Sequence, residues 1–274
     1  EDPGYTEVFD LNQTIDNDVV ALDNTTLVIA WIDNEVGNHA SFEIWHTNGT
    51  RLVDEVDIET SGDTSSRIAV DLINKTHFAI VINDGPADDL IYYIYNRSGS
   101  QILSGTTADT NIGTTNDVDI CEIGSNFAII DENAQDNDAD FRIYNNAGTE
   151  TVAESNVDGT TNPAANGQNL VACGPINSTA WAYSFYDDAD NDISTAIVSN
   201  LGVALVAAID IDPDVGETGQ VASAGLRGAD FAITYYNSTN SGIYITVRRL
   251  VAAAINIVLA NTVIDTNAGA ASKV

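Results

Sequence analysis

The segment Phe78-Ala79-Ile80-Val81-Ile82 decides the fold, because it recurs in variant form along the whole chain. The other copies begin at Leu27, Phe127, Ala180 and Phe231, so successive starts lie 51, 49, 53 and 51 residues apart. A nearly constant period of this length predicts a repeat architecture, in which each copy belongs to one small structural unit.

Each copy of this segment is flanked by three further strand-like segments. In the first repeat a short apolar segment, 19–22, precedes it, an aromatic and β-branched segment, 42–46, follows it, and residues 52–58 alternate apolar and acidic side chains. Four antiparallel strands with a polar last strand are typical of a propeller blade, because the outermost strand is a solvated edge. A sandwich of short strands is the alternative, but it leaves the equal spacing unexplained.

We therefore predict an all-β protein, a five-bladed β-propeller of four-stranded antiparallel blades with a surplus N-terminal strand and a C-terminal tail. The propeller is expected over residues 16–265, with blades at about 19–58, 67–107, 117–156, 169–212 and 220–264. Residues 1–15 form the extra strand and linker in this prediction, and residues 266–274 form the tail.

The repeats resemble the roughly fifty-residue repeats of large secreted bacterial and archaeal β-propeller proteins. The resemblance rests on an apolar strand that ends in an aromatic residue, as at Trp31, and on the acidic loop and Ile-Tyr strand that follow it. The third repeat departs from this pattern with Asp131 at the aromatic position, and the fifth lacks the acidic loop. Such proteins are mostly surface or calcium-associated proteins, so the resemblance implies a fold and a compartment more than a chemistry.

The charge of the chain argues against several classes of partner. The 274 residues include 9 Lys and Arg against 41 Asp and Glu, which gives a net charge of −32. We expect no nucleic acid partner, because phosphates repel such a surface, and no membrane insertion, because no apolar stretch is long enough to span a bilayer. An excess of acid is also typical of a halophilic surface, on which salt screens the repulsion.

The chain contains no Met. This favours a processed protein that is secreted to the extracellular cell surface, from an archaeon or another salt-adapted microbe, although a sequence that starts at an internal boundary would look the same.

Two loops carry a pattern of alternating carboxylates that suits calcium. Both read Asp-x-Asp-x-Asp and occupy equivalent places in consecutive repeats. Alternating carboxylates of this kind can converge on one hard cation, but neither loop continues as an EF-hand does. Solvated loops on a halophilic surface are the alternative. The candidate calcium ligands are Asp136, Asp138, Asp140, Asp188, Asp190 and Asp192.

Seven Asn-x-Ser/Thr sequons are candidate sites for N-glycosylation, and most of them fall in expected turns. A chain rich in Asn, Ser and Thr also yields several sequons by chance. The candidate asparagines are Asn12, Asn24, Asn48, Asn74, Asn96, Asn177 and Asn237.

The chain has two cysteines, Cys121 and Cys173, near the ends of the expected innermost strands of consecutive blades. Inner strands converge on the propeller axis, so these residues can approach bridging distance, and an exported protein favours a disulfide. Two buried thiols are the alternative.

Both ends of the chain extend the repeat pattern. Residues 7–11 are similar to the last strand of the first repeat, and residues 265–274 are similar to the start of another repeat. A surplus strand needs a hydrogen-bonding edge, either on its own last blade or on the next molecule, where head-to-tail pairing generates a filament. The candidate assembly residues are Glu7, Val8, Phe9, Asp10, Leu11, Ser272, Lys273 and Val274.

No catalytic motif stands out in the sequence. The favoured interpretation is therefore a non-enzymatic structural or surface protein, a filament subunit whose partner is itself. A calcium-dependent adhesin or lectin-like propeller that binds glycans is the alternative, and a carbohydrate-active enzyme is the second one. For an enzyme, the candidate acids are those expected to line the channel, Asp71, Asp119 and Glu122.

Overall fold

The computed structural model describes residues 14–33, 38–58, 66–84, 89–110, 117–133, 138–156, 171–187, 192–212, 221–226, 228–252 and 254–265. These ranges contain twenty strands and no helix. Accordingly, nothing in them is a helix long and apolar enough to cross a membrane.

The strands form five four-stranded antiparallel sheets, each made of four strands that are consecutive in the chain. The first sheet holds β1 (Thr14–Ala21), β2 (Thr26–Asp33), β3 (His39–His46) and β4 (Arg51–Asp57), and the second holds β5 (Ile68–Asn74), β6 (His77–Asp84), β7 (Asp89–Asn96) and β8 (Gln101–Asp109). The third holds β9 (Val118–Ile123), β10 (Asn126–Asn133), β11 (Asp138–Asn145) and β12 (Glu150–Asn156). The fourth holds β13 (Val171–Asn177), β14 (Ala180–Asp187), β15 (Asp192–Ser199) and β16 (Ala204–Asp212), and the fifth holds β17 (Val221–Gly225), β18 (Asp230–Asn237), β19 (Gly242–Val251) and β20 (Ala254–Asp265). The prediction of an all-β chain with five four-stranded antiparallel sheets is confirmed.

Glycine fixes the turn between the third and fourth strands of four sheets. Gly49, Gly99, Gly148 and Gly202 all have positive φ, between 75° and 85°. The backbone N–H of each glycine donates a hydrogen bond across the turn, as from Gly49 N to the carbonyl oxygen of His46 (2.9 Å). Because L side chains rarely adopt this backbone conformation, glycine sets the register of the outer strand at these turns.

The hydrophobic core lies between the sheets rather than within one of them. Four apolar clusters join the first sheet to the second, the second to the third, the third to the fourth and the fourth to the fifth. Aromatic rings bridge these boundaries, as where Phe42 meets Phe78 with ring centroids 5.4 Å apart. The middle strands of the second, third and fourth sheets are mostly buried because each of these sheets packs between two others. The outer strands β4, β8 and β12 are mostly exposed.

Aspartate carboxylates on the inner strands bind the backbone of the next sheet. Two such bonds link the first sheet to the second, one links the second to the third, and two link the third to the fourth. Each joins an Asp Oδ2 to a backbone amide: Asp16 to Ile68 (3.0 Å), Asp18 to Val70 (2.8 Å), Asp71 to Glu122 (3.0 Å), Asp117 to Val171 (2.9 Å) and Asp119 to Cys173 (2.8 Å). We call these the inter-sheet carboxylate bonds.

The fourth and fifth sheets meet by close backbone approach instead. A Cβ atom on Gly174 would lie 3.1 Å from the backbone of Ala224, so any side chain there would push the two strands apart. The hydroxyl of Ser223 also donates a hydrogen bond to Ser184 Oγ (2.9 Å) across this boundary. Glycine and serine therefore take the place that aspartate holds at the other three boundaries.

The ends of the chain differ from the expectation at one point. Residues 14 and 15, which were expected to belong to the N-terminal extra strand and linker of residues 1–15, are the first residues of β1. This strand begins ahead of the expected segment 19–22, and it includes Asp16 and Asp18, which accept hydrogen bonds from the second sheet. Residues 1–13 and the C-terminal tail lie outside the described residues.

Removing one inter-sheet carboxylate bond tests its contribution. Asp18→Ala leaves the amide of Val70 without this acceptor, and we expect the free energy of unfolding to fall by about 1–3 kcal/mol in urea titrations. Asp18→Asn keeps an acceptor oxygen and should lose less, and Asn17→Ala, on the same strand with an exposed side chain, is the matched control. Equal effects of Asp18→Ala and Asn17→Ala would contradict a stabilising role for the bond.

Candidate functional site

A cavity of about 300 Å³ lies where the five sheets converge. The innermost strand of every sheet contributes to its lining, namely β1, β5, β9, β13 and β17. Four aspartates supply its charge, and no basic side chain is among its described lining residues. The polar and charged residues of the lining are Asp16, Asn17, Asp18, Asp117, Asp119 and Ser223. We call this the axial cavity.

Two of these aspartates, Asp117 and Asp119, hold protons more tightly than a free side chain does. Burial raises the pKa of Asp117 well above its ordinary value, although the bond from the amide of Val171 opposes this. Burial also raises the pKa of Asp119 to about 8, against the bond from the amide of Cys173, and the nearby Asp18 charge raises it further. Asp119 is only partly buried, so it combines a retained proton with access to the cavity.

Of the three acids predicted to line the channel, one is among the described lining residues of the axial cavity. Asp119 lines the axial cavity, whereas Asp71 and Glu122 are not among its described lining residues. Asp71 binds the amide of Glu122, and burial raises its pKa to about 7. Three further acids of the lining, Asp16, Asp18 and Asp117, were not among the candidates for an active site, because only the convergence of the inner strands brings them together.

Asp131, at the position where the third repeat departs from the aromatic pattern, belongs to a buried ion-pair cluster. Arg142 on β11 is almost fully buried and binds Asp131 (2.8 Å), Glu154 (2.7 Å) and Asp109. Burial raises the pKa of Asp131 to about 7, and the Arg142 charge opposes that shift. The Arg142 side chain thus compensates the buried charge of Asp131 and also joins the third sheet to Asp109 of the second sheet.

The two cysteines form the expected disulfide. Cys121 on β9 and Cys173 on β13 are bonded, with their Cα atoms 5.9 Å apart. The bond joins the third and fourth sheets beside the amide of Cys173 that binds Asp119. Covalent and hydrogen-bonded links therefore reinforce the same boundary.

Only some of the calcium ligands predicted from the sequence are among the described residues. Asp136, Asp188 and Asp190 lie outside the described residues, as does the side chain of Asp138. Asp140 and Asp192 are buried near the starts of β11 and β15. Within the described ranges no three His, Cys, Asp or Glu side chains are grouped so that they could hold a metal ion. Calcium binding stays a prediction.

The sequon asparagines fall into three environments, and glycosylation stays a prediction for them. Asn24, Asn48 and Asn177 are exposed, and Asn74 and Asn96 are partly exposed in turns. Asn237 is 2% exposed and its amide donates to Asp212, so it is inaccessible in the folded chain. Asn12 lies outside the described residues, together with every candidate assembly residue.

Comparisons with known proteins bear on the fold. No protein-family model matches the sequence, and no curated protein matches it. Among solved structures, the chain is similar to a variant of the Aleuria aurantia lectin in complex with Fucα1-6GlcNAc, at 11% identity and TM-score 0.58, covering 93% of this chain and 79% of that one. It is also similar to the GH93 α-L-arabinofuranosidase of Fusarium graminearum in complex with arabinobiose, at 10% identity and TM-score 0.55, covering 92% and 82%. A third is a putative exo-β-1,3-galactanase from Bifidobacterium bifidum, at 11% identity and TM-score 0.52, covering 91% and 92%.

These likenesses support the propeller-like fold, and they overturn two functional expectations. The favoured interpretation, a non-enzymatic filament subunit, is wrong, because chains with this arrangement of sheets are named as glycosidases and a lectin. The expectation that the protein is not an enzyme is contradicted by the same glycosidase structures. The filament was expected because both ends of the chain extend the repeat pattern, and that pattern does not report on what the assembled sheets can bind.

The raised pKa values predict that the protein loses stability as pH rises. An Asp in the unfolded chain titrates near 4, whereas Asp71 keeps its proton to about 7 and Asp119 to about 8. Between these values the folded state binds more protons than the unfolded state, so the free energy of unfolding should fall with a slope of at most about 1.4 kcal/mol per pH unit for each group.

Urea titrations at a series of pH values measure this slope. The double variant Asp71→Asn/Asp119→Asn should show a smaller slope between about pH 6 and 8 than the unaltered chain, and the slope that is left should come from the other buried carboxyl groups, such as Asp117 and Asp131, whose pKa values burial also raises. An unchanged slope in the double variant would show that other groups cause it.

Proposed function

We propose that the protein is a carbohydrate-active enzyme that hydrolyses a glycosidic bond at the axial cavity. The observation that carries this proposal is the half-buried carboxyl of Asp119, which has a pKa of about 8 and faces a cavity that contains further carboxyl groups. Glycosidases generally need one carboxylic acid that donates a proton to the leaving oxygen and a second carboxylate that acts as base or nucleophile. The named activities of the similar structures support the same class.

In this proposal Asp119 is the proton donor. Its retained proton at neutral pH meets the first requirement of a general acid, and the bond from the amide of Cys173 fixes its position. Asp16 and Asp18, which line the cavity from β1, are the candidates for the second carboxylate. Ser223 and Asn17 supply neutral hydrogen-bonding groups of the kind that orient sugar hydroxyls.

The negative charge of the axial cavity limits the kinds of glycan that it can bind. The protein carries a net charge of −32, and four aspartates line the axial cavity. Glycans with carboxylate or sulfate groups would be repelled, so the proposed substrates are neutral glycans. A cavity of about 300 Å³ is at the small end of ligand pockets, which favours recognition of one or two sugar units.

Lectin-like binding without hydrolysis is a second candidate. Asp117 and Asp119 already accept backbone hydrogen bonds from the fourth sheet, and this structural role accounts for part of their burial. A cavity that binds sugar through carboxylates and hydroxyls needs no proton donor. The disulfide is in keeping with a protein that acts outside the cell in either case.

The proposal is tested by incubating the protein with neutral oligosaccharides, such as arabinose- and galactose-based ones, and measuring the released products by chromatography. Asp119→Asn keeps an acceptor for the Cys173 amide but removes the acid, and we expect kcat to fall about 100-fold or more. Asp71→Asn is the matched control, because Asp71 is also half-buried with a raised pKa and an inter-sheet bond, but is not part of the described cavity lining.

Each result has a distinct meaning. Hydrolysis that Asp119→Asn abolishes and Asp71→Asn spares supports the enzyme. Binding of an oligosaccharide by calorimetry, with no product from any glycan in the panel, supports the lectin-like candidate. Equal losses in the two variants would contradict the role given to Asp119, and neither binding nor hydrolysis would contradict both candidates.

A further inference from the structure

Three hydroxyl groups form a connected chain between the axial cavity and the interior of the fourth sheet. Ser223 on β17 donates a hydrogen bond to Ser184 Oγ on β14 (2.9 Å). Ser184 Oγ lies 3.1 Å from Thr195 Oγ1 on β15, and Thr195 donates to the backbone carbonyl of Tyr183 (3.0 Å). We call Ser223, Ser184 and Thr195 the hydroxyl chain.

The hydroxyl chain leads from a place that a ligand can reach to a place that solvent does not reach. Ser223 is partly exposed and is one of the lining residues of the axial cavity. Ser184 and Thr195 are fully buried, each with 0% of its surface exposed. The state of the two inner hydroxyls is therefore set by the protein alone, and only Ser223 can meet a ligand.

The positions of the hydroxyl chain are apolar in the second and third sheets. The sheets can be compared position by position through the registers of their strands. The equivalents are Val81 and Ile130 for Ser184, Tyr92 and Phe141 for Thr195, and Val70 and Ile120 for Ser223. Burying a hydroxyl costs free energy unless it is hydrogen-bonded, so packing alone favours apolar side chains at such positions. Packing alone therefore does not account for three linked hydroxyls here.

Hydrogen bonds in the hydroxyl chain run in one direction only. A hydroxyl group carries a single proton. Thr195 gives its proton to the carbonyl of Tyr183, so it can only accept from Ser184. Ser184 has then used its own proton and can only accept from Ser223. The proton of Ser223 is thus committed to the fourth sheet, and lone pairs are what Ser223 has left to offer.

We propose that Ser223 binds the ligand of the axial cavity as a hydrogen-bond acceptor only, and that Ser184 and Thr195 are positioning residues that hold it in this state. The inference rests on the proposed function, in which a neutral glycan occupies this cavity. A sugar hydroxyl can donate its proton to Ser223, whereas a ring or glycosidic oxygen there would meet a lone pair. The hydroxyl chain therefore selects which side of the sugar faces β17.

This selection complements the role given to Asp119. Asp119 retains its proton and can donate to an oxygen of the ligand, whereas Ser223 requires a proton from the ligand. Asp16 and Asp18, when ionised, also accept only. A sugar that places its glycosidic oxygen at Asp119 and a hydroxyl at Ser223 satisfies both groups, so the two residues together fix one orientation of the ligand.

Sugars in which fluorine replaces one hydroxyl test the proposal on the full chain, because fluorine is close to a hydroxyl in size but has no proton to donate. The probes are arabinose, galactose and their monofluorinated derivatives, and NMR titration gives the dissociation constants. On the unaltered chain, fluorine at the hydroxyl that faces Ser223 should weaken binding about tenfold or more. In Ser184→Ala, Ser223 is free to turn its proton to the cavity, so the loss at that hydroxyl should shrink to about threefold or less.

Two sets of controls separate this role from a purely structural one. Ser194→Ala removes another buried hydroxyl of β15, 3% exposed, whose partners are Asp192 and Asp210, so it should keep the tenfold loss. Thr195→Val removes the end of the hydroxyl chain at equal size and should relax the preference as Ser184→Ala does. Thr195→Ser keeps the hydroxyl and should keep the preference, and this pair gives the same readout if Ser184→Ala fails to fold.

The outcomes distinguish this inference from the proposed function. A loss that is relieved in Ser184→Ala and Thr195→Val, and kept in Ser194→Ala and Thr195→Ser, supports the inference. Equal losses in all of these proteins, or no tenfold loss at any hydroxyl, overturn it, while binding of the unfluorinated sugars leaves the proposed function standing. If neither unfluorinated sugar binds and no oligosaccharide is hydrolysed, the inference and the proposed function are both overturned.

Discussion

The hydrogen bond from a backbone amide to the carboxylate of the preceding sheet is the constraint on which the structure depends. Separate antiparallel sheets have no backbone ladder between them, so apolar packing alone leaves their relative height and rotation poorly specified. Asp18 and Asp119 resolve this by binding amides of Val70 and Cys173, one sheet further along the chain. At the first three boundaries, a directional bond near the axis fixes how one sheet is placed against the next. A small rotation about such a bond would displace the outer strand most.

The same carboxylates determine the chemistry that the axis can support. Asp119, which reaches the next inner strand, is held away from bulk water, and this burial raises its pKa to about 8. Asp119 therefore serves two purposes, since it joins two sheets and presents an acid to the axial cavity. The destabilisation that comes with burying such a group is offset at this boundary by the hydrogen bond and by the disulfide of Cys121 and Cys173.

Much of the architecture could be predicted from the sequence, because it depends on patterns within single repeats. The apolar run at 78–82 and its four counterparts identify the second strand of each sheet, and the turn glycines such as Gly99 identify the start of the outer strand. The disulfide also followed, because equivalent inner strands converge. The axial site did not follow, because Asp16 and Asp117 are a hundred residues apart and are brought together only by the placement of whole sheets.

Two features show why local patterns were insufficient for function. Asp131 departs from the aromatic pattern of its repeat, and only the buried Arg142 on the adjacent strand explains the change. The terminal segments extend the repeat pattern and favoured a filament, whereas the solved structures with a similar fold are named as glycosidases and a lectin. The axial cavity is lined by two or three residues from each sheet or its edge, so no single repeat displays it.

Residue-resolved amide hydrogen exchange by NMR tests the central claim most directly. If the inter-sheet carboxylate bonds hold the sheets around the axis, the amides of Val70, Glu122 and Cys173 will exchange as slowly as the ladder amides of β6 and β10. Exchange of these amides at the rate of exposed turn amides would contradict the account, because the sheets would then be held by apolar contacts alone.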